Sequence, residues 1–318
     1  MKDFEYHKPQ TIKEAIGLSG SLKNAKYIAG GTDVMVLIKQ RKLAPDNLIS
    51  LRNIKELNHI DFQKELKIGS GVTHSEIVNN EIIKKYYSAL VDASGNVGSK
   101  QIRNVATIGG NICNAAPSAD TACPLLVFDA NVMLLGPKSE RSVPIDAFLQ
   151  GPNKIAIEHG EIVKGFSMPA FGEHTGSAYI KHTRRRAMEL PILGIAVRAT
   201  VKTSGSISGC VDAFSSSNDI NNIIKKLGDE KLSFEDVRIA MCVVAPKPMR
   251  AIKAENALKG KLISEKLLDE IVETAATESR PRDSIRGEAW YRREMVKVLT
   301  KRALLRSIAR AVGTDFKY

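Results

Sequence analysis

The chain has 318 residues, of which 43% are hydrophobic, with 47 Lys and Arg against 35 Asp and Glu. This length predicts about two domains, and the hydrophobic content excludes disorder as a description of the whole chain. A membrane helix is excluded because no apolar run approaches the roughly 20 residues that a span needs. The N-terminus, MKDFEYHKPQ, lacks the apolar core of a secretory signal. We therefore expect a soluble, cytoplasmic protein with no membrane partner.

The charge and the cysteines exclude further classes. A net charge of +12 attracts phosphates, but aromatics are only 5% of the chain and are not interleaved with the basic residues, as in single-strand binders. A solvated face, or docking onto an acidic partner subunit, explains the charge, and we expect no nucleic acid. The cysteines have no CxxC spacing, which argues against a metal site, and the missing secretory signal argues against a disulfide framework. They are Cys113, Cys123, Cys210 and Cys242.

The first half of the chain alternates short strand and helix patterns. Apolar runs bounded by turn residues predict strands at 25–28, 48–51, 66–68, 132–135 and 162–166. Amphipathic spacing predicts helices at 11–18, 32–42, 75–83 and 86–95. Thr11 and Thr73 are predicted N-caps of the first and third of these helices. The segment 105–120 is polar and rich in turn residues, and we expect it to carry function.

Pro and Gly cluster at 169–176, where periodicity is lost. This predicts a domain of residues 1–173, itself in two parts (about 1–55 and 56–173), and a domain of residues 174–318. In the second domain we predict strands at 178–182, 192–201 and 237–244 and helices at 248–260, 264–278 and 288–312. Ser and Gly at 204–218 predict a loop, within an insertion near 204–236. One apolar face is predicted for the last helix, formed by Met295, Val298, Leu299, Leu305 and Ile308. The fold class is α+β or α/β.

Two Gly-Gly segments are the candidates for chemistry. The first, AGGTD at 29–33, lies between a predicted strand and a predicted helix, and the second, TIGGN at 107–111, leads on to Asn114 and Asp120. A single Gly-Gly segment is more often just a turn, and neither one is a GxGxxG or a P-loop motif. Two such loops in one domain favour a phosphate-bearing dinucleotide, because backbone N–H groups and short side chains must surround it.

Longer strings carry a family resemblance. YIAGGTDVMVLIKQ, QIRNVATIGGNICNAAPSADTACPLLVFDA, YIKHTRRRAMELPILGIAV and RGEAWYRREMVKVLTKRAL resemble the FAD-binding medium subunit of the molybdenum hydroxylases, including the flavin subunits of xanthine dehydrogenase and aerobic carbon monoxide dehydrogenase. The likeness covers nearly the whole chain in order and looks closest to bacterial xanthine dehydrogenase flavin subunits. It implies an α+β fold: a two-part, PCMH-like FAD-binding domain of mixed sheets and helices. A smaller α/β C-terminal domain of the CO dehydrogenase flavoprotein type follows it.

The resemblance also implies which residues hold FAD. Residues 27–34 would cradle its pyrophosphate, and residues 107–111 would close on it from the other side. The resemblance also implies polar residues at the ribityl and ring end of FAD, two apolar residues in contact with the cofactor and a lysine beside the flavin. The implied FAD-binding residues are Tyr27, Ile28, Ala29, Gly30, Gly31, Thr32, Asp33, Val34, Val97, Thr107, Ile108, Gly109, Gly110, Asn111, Asn114, Asp120, Val163 and Lys181. No catalytic residue, metal ligand or iron–sulfur cluster is predicted in this chain.

Simpler interpretations stand beside some of these residues. A lone Asp after Ser-Ala is more often a helix cap, so Asp120 becomes a ligand only together with the second Gly-Gly loop. His74 is interpreted as a polar residue in a helix's first turn. The segment 182–189 would approach the isoalloxazine, and its arginines either form a solvated face or attract the phosphates of a nicotinamide cofactor. Val97 stands where other family members have an aromatic residue, and Glu189 stands where others have Asp.

The resemblance finally implies a function. The chain would be an FAD-carrying electron-transfer subunit, with the molybdenum cofactor in a large partner subunit and two [2Fe–2S] clusters in a small one, as a dimer of heterotrimers. Electrons would pass from the clusters to the flavin and then to NAD⁺ or another acceptor. Two alternatives remain: a stand-alone FAD-dependent reductase or oxidase, and a non-catalytic basic binding protein with Gly-rich turns.

Overall fold

The computed structural model describes residues 2–217 and 219–316. The described part of the chain leaves out residues 1, 218 and 317–318. These residues fall at the ends of the predicted domains and of the predicted 204–218 loop. The strands are β1 (Glu5–His7), β2 (Ala25–Ile28), β3 (Asn47–Ser50), β4 (Ile60–Phe62), β5 (Glu65–Gly69), β6 (Asn131–Leu135), β7 (Glu140–Pro144), β8 (Leu149–Gly151), β9 (Lys154–Ile155), β10 (Ile162–Pro169), β11 (Thr175–His182), β12 (Leu193–Thr203), β13 (Leu232–Cys242) and β14 (Met249–Arg250).

The α-helices vary from single turns to one long C-terminal helix. They are α1 (Ile12–Ser21), α2 (Val34–Lys39), α3 (His74–Asn79), α4 (Glu81–Tyr86), α5 (Ser88–Gly95), α6 (Lys100–Arg103), α7 (Ile108–Cys113), α8 (Ala122–Val127), α9 (Ile145–Phe148), α10 (Ile207–Ser215), α11 (Ile220–Asp229), α12 (Ile252–Leu258), α13 (Glu265–Glu278) and α14 (Ala289–Ala311). A 3₁₀ helix spans Lys55–Leu57. Among the described helices, none is both long and apolar enough to cross a membrane.

Four sheets organise the strands of the described chain. The first has the order β1-β3-β2 and is parallel, with β3 buried at its centre. The second has the order β4-β5-β10-β6-β7, and the third has the order β11-β12-β13-β14; both are antiparallel. A short β8-β9 ribbon completes the set. Parallel and antiparallel sheets with helices packed on them make the mixed, α+β architecture that the sequence predicts.

Local capping signals explain where several helices begin. The Thr11 side chain accepts a hydrogen bond from the Glu14 N–H, which confirms the predicted cap of α1. Thr73 and Glu76 form a reciprocal capping box at the start of α3. Asn80 then ends α3 and caps α4 through its side chain, so the helix predicted at 75–83 is two short helices. The predicted caps are therefore confirmed, but the predicted length is wrong.

The α14 helix covers one face of the third sheet. Its buried side includes Val296, Leu299 and Ala303, which join a core cluster with residues of β12 and β13. The apolar face predicted for this helix is wrong at Val298, which is 41% exposed. At about 100° per residue, Val298 lies on the side of the helix opposite Val296.

Two further element predictions are wrong. The predicted loop at 204–218 contains α10, which Ser206 caps, because Cys210, Ala213 and Phe214 form a buried helical stripe beneath the Ser- and Gly-rich composition. The helix predicted from 248 starts only at 252, since Met249 and Arg250 form β14 instead.

Ion pairs join the first and last parts of the chain. On α5, the Asp92 carboxylate accepts hydrogen bonds from Arg310 of α14 at 2.6 and 3.1 Å. Asp129 lies 2.9 Å from Arg250 and 3.4 Å from Arg198, both in the third sheet. These charge-assisted contacts fix α14 against α5, and the third sheet against the turn that follows α8.

Candidate cofactor site

The two Gly-Gly segments meet in the folded chain. A Cβ atom built on Gly30 would lie 2.0 Å from the carbonyl oxygen of Val105, so only glycine allows this approach. Gly31 has a φ of +75°, which also favours glycine. A hydrogen bond of 3.2 Å from Asn114 Nδ2 to Asp33 Oδ1 joins the same two segments. The first Gly-Gly segment therefore lies directly against Val105 and Asn114, the residues that flank the second.

The first segment holds backbone donors that the protein leaves unused. Within the described chain, no backbone N–H of residues 30–34 donates a hydrogen bond to a protein acceptor. By contrast, the second segment is held by protein acceptors: Gly109 N–H donates to Ser70 O, and Gly110 N–H donates to Thr107 Oγ1, each at 3.0 Å. Unused donors in a turn fit the oxygens of an anionic ligand.

A buried ion pair lies at the other end of the site. Lys181 Nζ is 2.9 Å from Asp120 Oδ2, and both side chains are buried. The second carboxylate oxygen accepts a 2.8 Å hydrogen bond from the Tyr179 hydroxyl, and Lys181 Nζ also donates to Asn96 O at 3.0 Å. Burial raises the pKa of Asp120, although Lys181 opposes that shift. The lysine ammonium is thus fixed in position.

Short contacts connect the two ends. The Thr121 hydroxyl, next to Asp120 in sequence, donates to Asn111 Oδ1 at 2.6 Å. Val97 follows Asn96 and is buried, and its carbonyl oxygen accepts a 3.1 Å hydrogen bond from Arg103 Nη1. The site therefore runs from the first Gly-Gly segment through α7 to Lys181.

Other residues that the resemblance implied lie at the edge of this arrangement. The side chains of Ile28, Ile108 and Val163 are buried in core clusters. The Tyr27 ring packs against the α1 cluster, its hydroxyl donates to Ala15 O at 3.4 Å, and burial raises its pKa. These residues support the loops from behind. Ala29, Thr32 and Val34 lie in or beside the first segment and are half-buried.

Comparison with known proteins decides the family. Residues 2–171 match the family described as the FAD binding domain in molybdopterin dehydrogenase, and residues 178–307 match the CO dehydrogenase flavoprotein C-terminal domain. The xanthine dehydrogenase FAD-binding subunit of Escherichia coli O157:H7 is 32% identical over 317 residues, which is 98% of this chain and 99% of that protein. The chain belongs to the FAD-binding subunits of the molybdenum hydroxylase family.

Solved structures agree with this assignment. A carbon monoxide dehydrogenase from Hydrogenophaga pseudoflava that lacks the Mo-pyranopterin moiety matches with a TM-score of 0.83 at 30% identity, covering 96% of this chain and 98% of that one. A cyanide-inactivated Cu,Mo-CO dehydrogenase matches with a TM-score of 0.84 at 27% identity, covering 98% and 99%. The family and the α+β fold inferred for this FAD subunit from sequence are confirmed.

The segment that follows β11 in the FAD subunit reaches back to the site. Met188, with a φ of 55°, donates its N–H to Gly98 O at 3.2 Å, directly after Val97. The Glu189 carboxylate accepts a hydrogen bond from the Arg185 N–H at 2.8 Å. Glu189 therefore holds the turn of this segment, and a longer carboxylate than Asp suits that role.

Sequence reasoning missed two groups of the site. Tyr179 lies two residues before Lys181, and since side chains alternate along a strand, both lie on one face of β11. This alternation of side chains along a strand was the sequence signal that could have placed Tyr179 beside Lys181. The Asn96 carbonyl is backbone, so no residue type marks it.

His74 is the expected first-turn residue of α3, but it is fully buried. Its Nδ1 lies 3.3 Å from the Ser94 hydroxyl, and within the described chain its Nε2 has no hydrogen-bond partner. Burial, aided by the charge of Arg103, lowers the pKa of His74 to about 4. The imidazole is therefore neutral at physiological pH.

Proposed function

We propose that this FAD subunit is the electron-transfer flavoprotein of a xanthine dehydrogenase-like molybdenum hydroxylase. The observation that carries the proposal is the continuous site between the unused N–H groups of residues 30–34 and the buried Asp120–Lys181 pair. The N–H groups suit the negative oxygens of the FAD pyrophosphate. Gly30 lets the first Gly-Gly segment approach the backbone of Val105 so closely that any side chain at this position would clash with the Val105 carbonyl oxygen.

The residues of this chain bind and orient the cofactor, which supplies hydride and single-electron chemistry when bound. The Lys181 ammonium has three N–H donors. Two of them are directed to Asp120 and Asn96, which leaves one for a ligand. The Asp120 carboxylate therefore sets the position of a positive charge at the ring end of the site. The buried Val97 side chain beside it helps to exclude water.

The partners and the acceptor complete the proposal. Carbon monoxide dehydrogenase relatives are named medium chains, which supports an assembly that also contains a larger and a smaller subunit. We assign the molybdenum cofactor to a large subunit and two [2Fe–2S] clusters to a small one, in a cytoplasmic dimer of heterotrimers. Electrons arrive from the clusters and leave to NAD⁺ or to another acceptor.

The test is the absorbance spectrum of the purified chain, followed by identification of the flavin that denaturation releases. We expect about one FAD per chain. Gly30→Ala, whose Cβ would lie 2.0 Å from Val105 O, should weaken FAD binding by about tenfold or more. Gly20→Ala is the matched control, because a Cβ on this α1 glycine meets nothing within 4 Å. A colourless chain that takes up no added FAD refutes the proposal. Oxidation of an organic substrate by the isolated chain would favour a stand-alone enzyme instead.

A further inference from the structure

Tyr179 joins the third sheet to the buried ion pair of the candidate site. It is 2% exposed, and its hydroxyl oxygen lies 2.8 Å from Asp120 Oδ1. A carboxylate only accepts hydrogen bonds, so the hydroxyl is the donor here. Burial raises the pKa of Tyr179 well above its usual value, and the Asp120 charge adds to this shift. The hydroxyl therefore keeps its proton and remains a donor at physiological pH.

The two oxygens of the Asp120 carboxylate have different partners. Oδ1 accepts from the Tyr179 hydroxyl, whereas Oδ2 accepts from Lys181 Nζ at 2.9 Å. Among the residues that the structure describes, these are the two side chains that bind the carboxylate. Because each oxygen has its own donor, rotation about the Cβ–Cγ bond of Asp120 would lengthen both contacts. Tyr179 thus fixes the orientation of the group that holds Lys181.

A glycine makes room for the Tyr179 hydroxyl. In the third sheet, Lys181 of β11 pairs with Gly194 of β12, and Gly194 pairs with Cys242 of β13. Residues that pair across strands lie on the same face of a sheet. A Cβ built on Gly194 would lie 2.5 Å from the Tyr179 hydroxyl oxygen and 2.7 Å from Cys242 Sγ. Any side chain at position 194 would therefore displace the hydroxyl from Asp120.

The hydrogen-bond partner distinguishes Tyr179 from another buried tyrosine. Tyr87 is also fully buried, and its hydroxyl donates at the same 2.8 Å to the carbonyl oxygen of Pro169, the last residue of β10. That carbonyl is neutral. The Tyr179 hydroxyl instead donates to a charged group that binds Lys181, and hydrogen bonds to charged groups are roughly twice as strong as neutral ones. A change at the Tyr179 hydroxyl therefore alters the negative charge that the Lys181 ammonium faces.

We infer that Tyr179 is a positioning residue for the flavin: acting through Asp120, it holds the Lys181 ammonium at the ring end of the site and raises the reduction potential of bound FAD. This inference rests on the proposed function, in which this site binds FAD. Reduction adds electrons to the flavin ring, so a nearby positive charge favours the reduced form. The hydrogen bond from Tyr179 draws charge away from Asp120 Oδ2, which leaves more of the Lys181 charge uncompensated.

Tyr179→Phe tests the inference, because it removes one hydroxyl and keeps the ring. We expect FAD to bind with its preference for the reduced over the oxidised form weakened by about three- to tenfold, which lowers the midpoint potential by about 15–30 mV for a two-electron couple. Asp120→Asn removes the negative charge beside Lys181 and should raise the potential. The measurement is a spectroscopic redox titration of the purified full-length chain near neutral pH, with the FAD content determined for each variant.

Tyr87→Phe is the matched control, since it removes a buried hydroxyl with a hydrogen bond of the same length. It should lose stability in urea unfolding of the FAD-free chain, as Tyr179→Phe does, but keep the wild-type potential. Gly194→Ala disturbs the same contact from the other side, because its methyl group displaces the Tyr179 hydroxyl. It should lower the potential as Tyr179→Phe does. Either variant reports on the contact by itself, so the test stands when the other does not fold.

The remaining outcomes separate the inference from the proposed function. If Tyr179→Phe loses stability but keeps the wild-type potential, the hydroxyl has a structural role only and the inference is wrong. A higher potential in Tyr179→Phe, or a lower one in Asp120→Asn, overturns the charge argument in the same way. A wild-type chain that takes up no FAD contradicts the proposed function itself, and the inference falls with it.

Discussion

Lys181→Met isolates the role of the buried ion pair. Methionine keeps the apolar stem of the lysine but removes the ammonium. Of the side chains that bind the Asp120 carboxylate, only Tyr179 then remains, through its 2.8 Å hydrogen bond. Removing one partner of a buried pair costs about 3–5 kcal/mol, because the other charge is left uncompensated. We therefore expect the FAD-free variant to lose about this much free energy of unfolding near neutral pH.

The sign of the pH dependence follows from Asp120. Burial raises its pKa even in the wild type, and loss of the Lys181 charge raises it further. The folded variant then binds a proton more tightly than the unfolded chain, so stability is lost as the pH rises through the folded pKa. The deficit of Lys181→Met should thus shrink as the pH falls from neutral toward about 3.9, the ordinary pKa of an aspartate, because the carboxyl of the folded variant takes up its proton first.

The assay is urea unfolding followed by circular dichroism, with Asp120→Asn and the double variant completing a cycle. We expect the double variant to lose clearly less than the sum of the single losses, since it leaves neither charge alone. A Lys181→Met deficit below about 1 kcal/mol, or strictly additive losses, would refute the reasoning that these two charges depend on each other.

Two further predictions concern stability. Burial lowers the pKa of His74 to about 4, so on acidification the unfolded chain takes up this proton before the folded chain does. His74→Gln should therefore remove about 2 kcal/mol of the stability that the wild type loses between pH 7 and pH 5. A variant whose pH profile in urea unfolding matches the wild type contradicts this. Arg310→Met leaves Asp92 without its shortest ion pair and should cost about 3 kcal/mol in thermal unfolding. Lys266→Met, at an exposed 4.0 Å pair, is the control and should cost below about 1 kcal/mol.

Local signals made parts of the fold predictable. Thr11 and Thr73 cap helices through residues only three positions away, so a short window of sequence contains the whole interaction. Composition misled where tertiary burial decided the structure. The Ser- and Gly-rich segment around α10 forms a helix because its three apolar residues bury together against the core.

The glycines and polar residues of the candidate site could be proposed from the sequence, but their contacts with one another could not. The contact of Gly30 with Val105 and the pairing of Asp120 with Lys181 join residues that are far apart in sequence. No periodicity links them, and the family resemblance supplied the expectation that they meet. Only the folded chain distinguishes the first segment, with its unused N–H groups, from the second, which protein acceptors hold.

The position of α14 has a consequence for how the protein is made. This helix covers the apolar face of β11 and β12, yet it is translated after both strands. While the ribosome is still adding residues 204–311, that sheet face stays uncovered and is open to aggregation. That face is buried only once α14 has emerged, and the Arg310–Asp92 contact then joins α14 to α5 in the first half of the chain.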